Sequence, residues 1–193
     1  MKFVVSSTGL LSHLTAISKV ISNKSTMPIL DNFLFRLSDT GLTITASDSE
    51  STLITNLDLD NVEGAGVIAI PAKLLIDTLR EFPEQPLTFQ IDATSFGIQI
   101  FSENGKYSIV GYDGEDYPQI PEAVEDTVTT VQVNRLALLR GIEKTLFATA
   151  DDELRPVMNG IFVELTPEYM SFVASDAHKL VRYRRTDARS EMQ

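Results

Sequence analysis

The sequence predicts an α+β fold in which antiparallel sheets carry two helices per domain on one face, with that domain present in tandem. Short alternating apolar runs are joined by turn signals such as Asp39-Thr40-Gly41, which indicates strands that pair with their sequence neighbours. Other segments place apolar residues at helical spacing. One long stretch also occurs twice at a fixed offset, so the pattern belongs to a duplicated domain.

The repeat relates Pro28–Leu53 to Pro156–Val181 without a gap, at an offset of 128 positions. Within it, Ala46-Ser47-Asp48 matches Ala174-Ser175-Asp176. A period of this length is about the size of a domain and is too long for a solenoid unit. We therefore expect a complete domain at residues 1–111, a linker at 112–128, and the first half of a second domain at 129–193.

The elements of the first copy follow from local patterns. A strand at residues 1–5 precedes a helix for which Ser6, Ser7 and Thr8 offer N-cap hydroxyls. A second helix begins at Pro71, since proline suits the first helical turn, and it ends before Pro83. Further strands are predicted at residues 33–37, 42–46, 52–58, 67–70, 87–91, 97–102 and 106–111.

Residues 112–127 combine proline and acid without periodicity, which is typical of an extended linker. The second copy then restarts with a strand near residues 129–133, Asn134 as an N-cap, and a helix that follows it. The hairpin and the third strand repeat through about Tyr183. No counterpart of the second helix or of the strands after it occurs in the second copy.

Charged side chains are unevenly distributed along the chain. The net charge is −11, which argues against a general nucleic-acid binder with a basic surface. No acidic residue precedes Asp31, although Lys2, Lys19 and Lys24 do, so the first helix is locally basic. Random clustering of solvated charge remains an alternative explanation.

Composition limits the class of protein further. The chain has no cysteine, which excludes disulfides and thiolate metal sites and fits a cytoplasmic location. No apolar run approaches the roughly 20 residues that a membrane-spanning helix needs, so no membrane association is expected.

An enzyme is the first alternative, with Asp48, Asp176 and His178 as acid–base or metal-binding candidates. The two aspartates are repeat equivalents in different domains, and each follows a strand where aspartate commonly forms a turn. The sequence also lacks a glycine-rich phosphate loop. We expect no catalytic residues, no metal site and no cofactor.

Four motifs in register carry a resemblance to a known family. They are the initial Met1-Lys2-Phe3, Met27-Pro28-Ile29-Leu30, Ile70-Pro71-Ala72-Lys73 and Val173–Leu180 (VASDAHKL). The chain thereby resembles the bacterial sliding clamps, the beta subunits of DNA polymerase III, over about half of their length. The resemblance implies a DNA-clamp fold, three domains per subunit, and a homodimeric ring around double-stranded DNA. Helices would line the hole, and sheets would form the rim.

The resemblance implies DNA contacts by Lys24 and Lys73. In the family, the loop after the second copy's first helix also contacts DNA. Asp152, Pro156 and Val157 depart from the family's residues there, which leaves Arg155 as the candidate. Placement on the helices adds Lys19, Arg80, Arg135, Arg140 and Lys144, each of which could also be an ordinary solvated cation.

The resemblance also implies a pocket for partner peptides rich in Gln, Leu and Phe. The matching positions are Met158, Ser175, Ala177, His178, Lys179 and Leu180. Expected partners are the polymerase catalytic subunit, the clamp loader and other proteins with a clamp-binding motif. The remaining alternative is a non-catalytic adaptor or scaffold that does not bind DNA.

Overall fold

The computed structural model describes residues 1–21, 27–48, 50–59, 61–119, 131–152, 154–187 and 191–192. The chain divides into two compact units, which we name unit one (Met1–Pro121) and unit two (Glu122–Gln193). Each is described by itself.

In its described residues, unit one consists of two five-stranded antiparallel sheets and two α-helices. The helices are α1 (Ser7–Ile17) and α2 (Ala72–Arg80). In chain order the strands are β1 (Lys2–Ser6), β2 (Asn32–Ser38), β3 (Gly41–Ser47), β4 (Thr52–Leu57), β5 (Val62–Glu63), β6 (Gly66–Pro71), β7 (Pro86–Ile91), β8 (Gly97–Ser102), β9 (Gly105–Val110) and β10 (Tyr112–Asp113). The first sheet has the order β10-β6-β2-β3-β4, and the second has the order β5-β1-β7-β8-β9.

One apolar core joins both sheets and both helices of unit one. Phe35 and Ile44 from the first sheet, Phe89 and Ile100 from the second, and Leu14 of α1 are all essentially inaccessible. The predicted α+β fold, with antiparallel sheets and two helices in the first domain, is confirmed. Strand β1 leaves its sequence neighbours to pair with β5 and β7, and this non-local pairing builds the second sheet.

In the described residues of unit two, the α-helix α3 (Arg135–Thr145) packs on a three-stranded antiparallel sheet. Its strands are β12 (Phe162–Leu165), β13 (Met170–Ser175) and β14 (Leu180–Arg185). The short strands β11 (Val131–Gln132) and β15 (Glu191–Met192) pair with each other.

The repeat found in the sequence is reproduced in the backbone. Helices α1 and α3, each 11 residues long, begin 128 positions apart, and so do β4 and β14, each 6 residues long. The 3₁₀ turns at Pro28–Asp31 and Pro156–Asn159 obey the same offset. Both helices have the predicted caps: Ser6 Oγ accepts from the Gly9 N–H at 2.9 Å, and Asn134 Oδ1 accepts from the Leu136 N–H at 2.9 Å.

Residues 112–117 belong to unit one, whereas the sequence predicted that a linker begins at 112. Tyr112 and Asp113 pair with Ala69 and Ile68, and Tyr117 is only 4% exposed. Gly114 permits this close approach, since a Cβ there would lie 2.8 Å from the Ile68 nitrogen. The sequence of this segment resembles a linker because one buried side chain, that of Tyr117, cannot form a periodic apolar pattern. The rest of the predicted linker, from 120 to 128, lies outside the described residues, and the domain boundaries otherwise stay a prediction.

Candidate nucleic-acid and peptide interface

The cations predicted on the helices are solvent-exposed. Lys73 is in the first turn of α2, and Lys19 is in the 3₁₀ turn that follows α1. Arg135, Arg140 and Lys144 lie along α3. With their 3₁₀ extensions, the three helices carry six basic and two acidic side chains, against the chain's net charge of −11. Lys24 lies outside the described residues.

Two of the candidate cations are held by neighbouring acids. The Arg80 guanidinium lies 3.2 Å from the Asp77 carboxylate within α2. Arg155 contacts Asp152 at 2.7 Å, and its hydrogen bond is the main reason why the pKa of Asp152 is lowered. These pairs reduce the charge that Arg80 and Arg155 offer to a phosphate. By contrast, Lys73, Arg135 and Lys144 form no ion pair with the described residues, which makes them the stronger candidates.

Five of the six predicted peptide-binding residues lie at the turn between β13 and β14, whereas Met158 lies in the 3₁₀ turn Pro156–Asn159. Asp176 accepts backbone N–H groups from His178 at 3.0 Å and from Lys179 at 2.8 Å, and its other oxygen pairs with the Lys179 ammonium. The Lys179 contact is the first cause, and the backbone bonds the next, of a strongly lowered pKa at Asp176. Ser175 Oγ closes the turn by donating to the Lys179 carbonyl oxygen at 2.8 Å.

The same turn occurs in unit one, around Asp48. Its carboxylate accepts from the N–H groups of Glu50 and Ser51 at 3.1 and 2.7 Å. Both aspartates therefore have a shared structural role that explains their recurrence at the 128-residue offset without acid–base chemistry. Within the described ranges, no group of three or more His, Asp and Glu side chains could hold a metal ion.

Side chains of the three strands in unit two form rows on the sheet face opposite α3. Ser175 lies directly across from Leu180, and Val173 lies between Phe162 and Arg182. Leu180 is 70% and Phe162 64% exposed. Ser175 and Leu180 were predicted as peptide-binding residues and stay a prediction, whereas the exposed Phe162 on the same face was not singled out. The repeat held the missing signal, because Phe162 corresponds to Leu34, which is 9% exposed in unit one.

Comparison with known proteins identifies the family. The family described as DNA polymerase III beta subunit, N-terminal domain, matches residues 1–121. The chain belongs to this family.

Relatives and solved structures agree with that assignment. The beta sliding clamp of Vibrio cholerae is 32% identical over 183 residues, which is 93% of this chain and 48% of the relative. A putative beta subunit from Eubacterium rectale superposes with a TM-score of 0.86 at 28% identity, over 100% of this chain and 53% of that one. The Bacillus subtilis sliding clamp, at 21% identity and a TM-score of 0.87, shows the same fold. The chain spans about half the length of the curated relatives it matches.

The two copies of the turn differ in chemistry. His178, Lys179 and Leu180 replace Glu50, Ser51 and Thr52 of unit one. Unit two therefore presents an apolar side chain beside two basic ones, whereas unit one presents an acid and two hydroxyls. None of the helices in the described ranges has both the length and the hydropathy for crossing a bilayer.

The turn between β13 and β14 contains one residue with a strained backbone. Ala177 has φ +74°, in the left-handed region that costs a residue with a Cβ about 1–2 kcal/mol. We expect Ala177→Gly to stabilise unit two by about 0.5–1 kcal/mol, after the extra entropy of glycine in the unfolded chain is subtracted. Thermal unfolding followed by a signal from unit two measures this. Ala174→Gly, at a buried strand position nearby, serves as the control and should destabilise; destabilisation by both changes would contradict the strain.

Proposed function

We propose that this chain forms part of a ring-shaped sliding clamp, a processivity factor of DNA replication without catalytic activity. The ring would enclose duplex DNA and tether the polymerase catalytic subunit, the clamp loader and other partners through their clamp-binding peptides. A homodimer would close the ring, and the protein would act in the cytoplasm. Two observations support this function: the chain belongs to the family of DNA polymerase III beta subunits, and its helices are net positive although the whole chain is net negative.

The electrostatics suit a protein that slides. Cations on α2 and α3 can attract phosphates through many weak, non-specific contacts that no base sequence modulates. The acidic remainder of the chain repels DNA and so favours the helical faces as the contact. Because a closed ring cannot dissociate sideways, these contacts do not have to be tight. We assign Lys24, Lys73, Arg135, Arg140 and Lys144 as the leading DNA-contacting residues, with Lys19, Arg80 and Arg155 secondary.

The peptide site fits the same function. The exposed Leu180 and half-buried Met158 supply adaptable apolar surface, and the small Ala177 leaves room beside them. His178 and Lys179 supply polar edges, and Ser175 shapes the turn. These six positions are assigned to partner peptides.

Charge reversal on α3 tests the DNA contact. We expect Arg135→Glu with Arg140→Glu to weaken binding of a duplex oligonucleotide at least roughly tenfold at low salt, because phosphate contacts are lost. Each lost phosphate contact should also reduce the slope of log K against log salt concentration by about 0.9. Fluorescence anisotropy across a salt series measures both quantities.

The matched control is Arg182→Glu with Arg184→Glu, an equal change of charge within unit two on β14. That variant should bind DNA like the unmodified chain. Equal losses in the two variants would mean that the helices are not the contact. No association by the unmodified chain at low salt would favour the adaptor without DNA binding.

A further inference from the structure

A cleft lies where helix α2 begins, beside the strand β10 at the edge of the first sheet in unit one. It encloses about 700 Å³, a volume within the range of roughly 300–1,000 Å³ that is usual for ligand sites. Its walls are the 3₁₀ turn Pro28–Asp31, the start of α2, and residues of the segment from Tyr112 to Asp116. All of these elements belong to unit one.

One wall of the cleft is held by a buried asparagine. Asn32 is only 4% exposed, and its side-chain amide donates to the carbonyl oxygens of Pro28 at 3.2 Å and Ile29 at 2.9 Å. In the sheet Asn32 pairs with Pro71, the residue directly before α2, so the 3₁₀ turn and the start of the helix are fixed to each other. A wall that is already fixed loses little conformational entropy when a ligand binds.

The cleft has exposed apolar surface. The residues of α2 that pack into the core include Ala72, Leu75 and Ile76, whereas Leu74 lines the cleft and is 48% exposed. Tyr112 of β10 contributes a second large side chain to the lining and is 55% exposed. Large apolar side chains that remain accessible within a concave surface indicate an interaction site.

Acidic side chains surround this apolar surface. Asp31, Asp77 and Asp116 line the cleft, together with one lysine, Lys73. Asp77 is paired with Arg80 at 3.2 Å. By contrast, Asp31 and Asp116 are exposed and form no ion pair with any other described residue. The cleft therefore attracts cations and repels phosphate groups, which suits a basic peptide better than DNA.

We propose that the cleft binds an extended segment of a partner protein in which one leucine or aromatic residue is flanked by lysine or arginine. The apolar residue packs against Leu74 and Tyr112, and the flanking cations reach Asp31 and Asp116. Because β10 is the last strand of its sheet, an extended segment can also lie along its outer edge.

The site belongs to unit one alone among the two copies. At the 128-residue offset, Asp31 and Asn32 correspond to Asn159 and Gly160, so unit two has neither the carboxylate nor the asparagine that holds the wall. The partner segment also differs in chemistry from the Gln/Leu/Phe-rich peptides assigned to unit two. Neither proposal therefore depends on the other.

Two synthetic peptides, GSKLRGS and GSKFRGS, are the probes, and GSELEGS and GSEFEGS are their charge-reversed controls. We expect the basic peptides, at millimolar concentration, to shift the amide NMR signals of residues 29–32, 72–77 and 112–116 in the 193-residue chain. The acidic peptides should shift none of these signals. Leu74→Gln, which keeps a strong helix former at an exposed position, should weaken binding of the basic peptides at least about fivefold.

Removal of the unpaired acids tests the charge. Asp31→Asn with Asp116→Asn should weaken binding of the basic peptides about fivefold at low salt. The matched control is Glu81→Gln with Glu115→Gln, an equal change of charge at exposed positions outside the cleft, and it should bind the peptides like the unmodified chain. Duplex DNA should bind the double asparagine variant no more weakly than the unmodified chain, which separates this site from the DNA contact.

Several results would overturn the proposal. Failure of both basic peptides to shift the cleft amides would do so, as would equal binding of the acidic peptides or shifts confined to unit two. Equal losses in the asparagine and glutamine variants would show that the cleft acids are not the contact. Cleft signals that change with protein concentration in the absence of peptide would show instead that the cleft is an interface between copies of this chain.

Discussion

Gly141→Ala is expected to destabilise unit two by about 2 kcal/mol or more. A Cβ at Gly141 of α3 would lie 2.5 Å from Phe172 Cδ2 and closer still to two other atoms of that ring. Phe172 is fully buried on β13, so the ring has no free space into which it can move. Overpacking of this kind typically costs about 1–3 kcal/mol. In an unobstructed helix the same change would stabilise by about 1 kcal/mol, so the sign of the effect is diagnostic.

The repeat supplies the rescue variant. The positions of Gly141 and Phe172 are occupied in unit one by His13 and Ile44. The double variant with Gly141→Ala and Phe172→Ile should be more stable than the sum of the two single changes predicts. The reason is that isoleucine has no ring at the place where the new methyl group lies. Denaturant unfolding, with hydrogen exchange at α3 amides as the reporter for unit two, measures the effect. Greater stability of Gly141→Ala, or strictly additive changes, would contradict the contact.

Tyr117→Ala is expected to cost unit one about 3 kcal/mol and to release residues 112–117. Tyr117 packs with Leu30 and Leu34 in a small apolar cluster of unit one. Removing a buried aromatic side chain usually costs about 3–5 kcal/mol, and because the cluster is small we expect a cost at the low end of that range. Tyr117 is the largest buried member of the cluster that holds the segment. The amides of residues 112–117 should therefore lose protection from hydrogen exchange, whereas the amides of β2 and β3 should keep theirs.

Tyr112→Ala is the matched control, since it removes the same side chain type from the same segment. The side chain of Tyr112 is 55% exposed, so its loss should change stability by roughly 0.5 kcal/mol or less. Equal release of the segment by both variants would contradict a role specific to the buried Tyr117. Release by neither would show that backbone pairing with β6 holds the segment and that the apolar cluster adds nothing.

Local chemistry by itself determined much of this molecule. Apolar periodicity and turn residues predicted the hairpins, and the caps Ser6 and Asn134 marked where helices begin. The repeat carried these assignments into unit two, since α3 copies α1 at the same offset. These signals can be read in the sequence because each depends on residues within a few positions of one another. Exposed cations on the helices follow from the same periodicity.

Other features depend on contacts between residues that are far apart in the sequence, and only the tertiary structure shows them. The second sheet exists because β1 pairs with β5 and β7, which lie about 60 and 85 positions later along the chain. Tyr117 is buried because it meets Leu30 and Leu34, and neither residue is near it in sequence. The close approach of Gly141 to Phe172, which are 31 positions apart in the sequence, depends on side-chain positions that no period encodes. A sequence pattern records which face a residue occupies, whereas only the folded chain determines what that face meets.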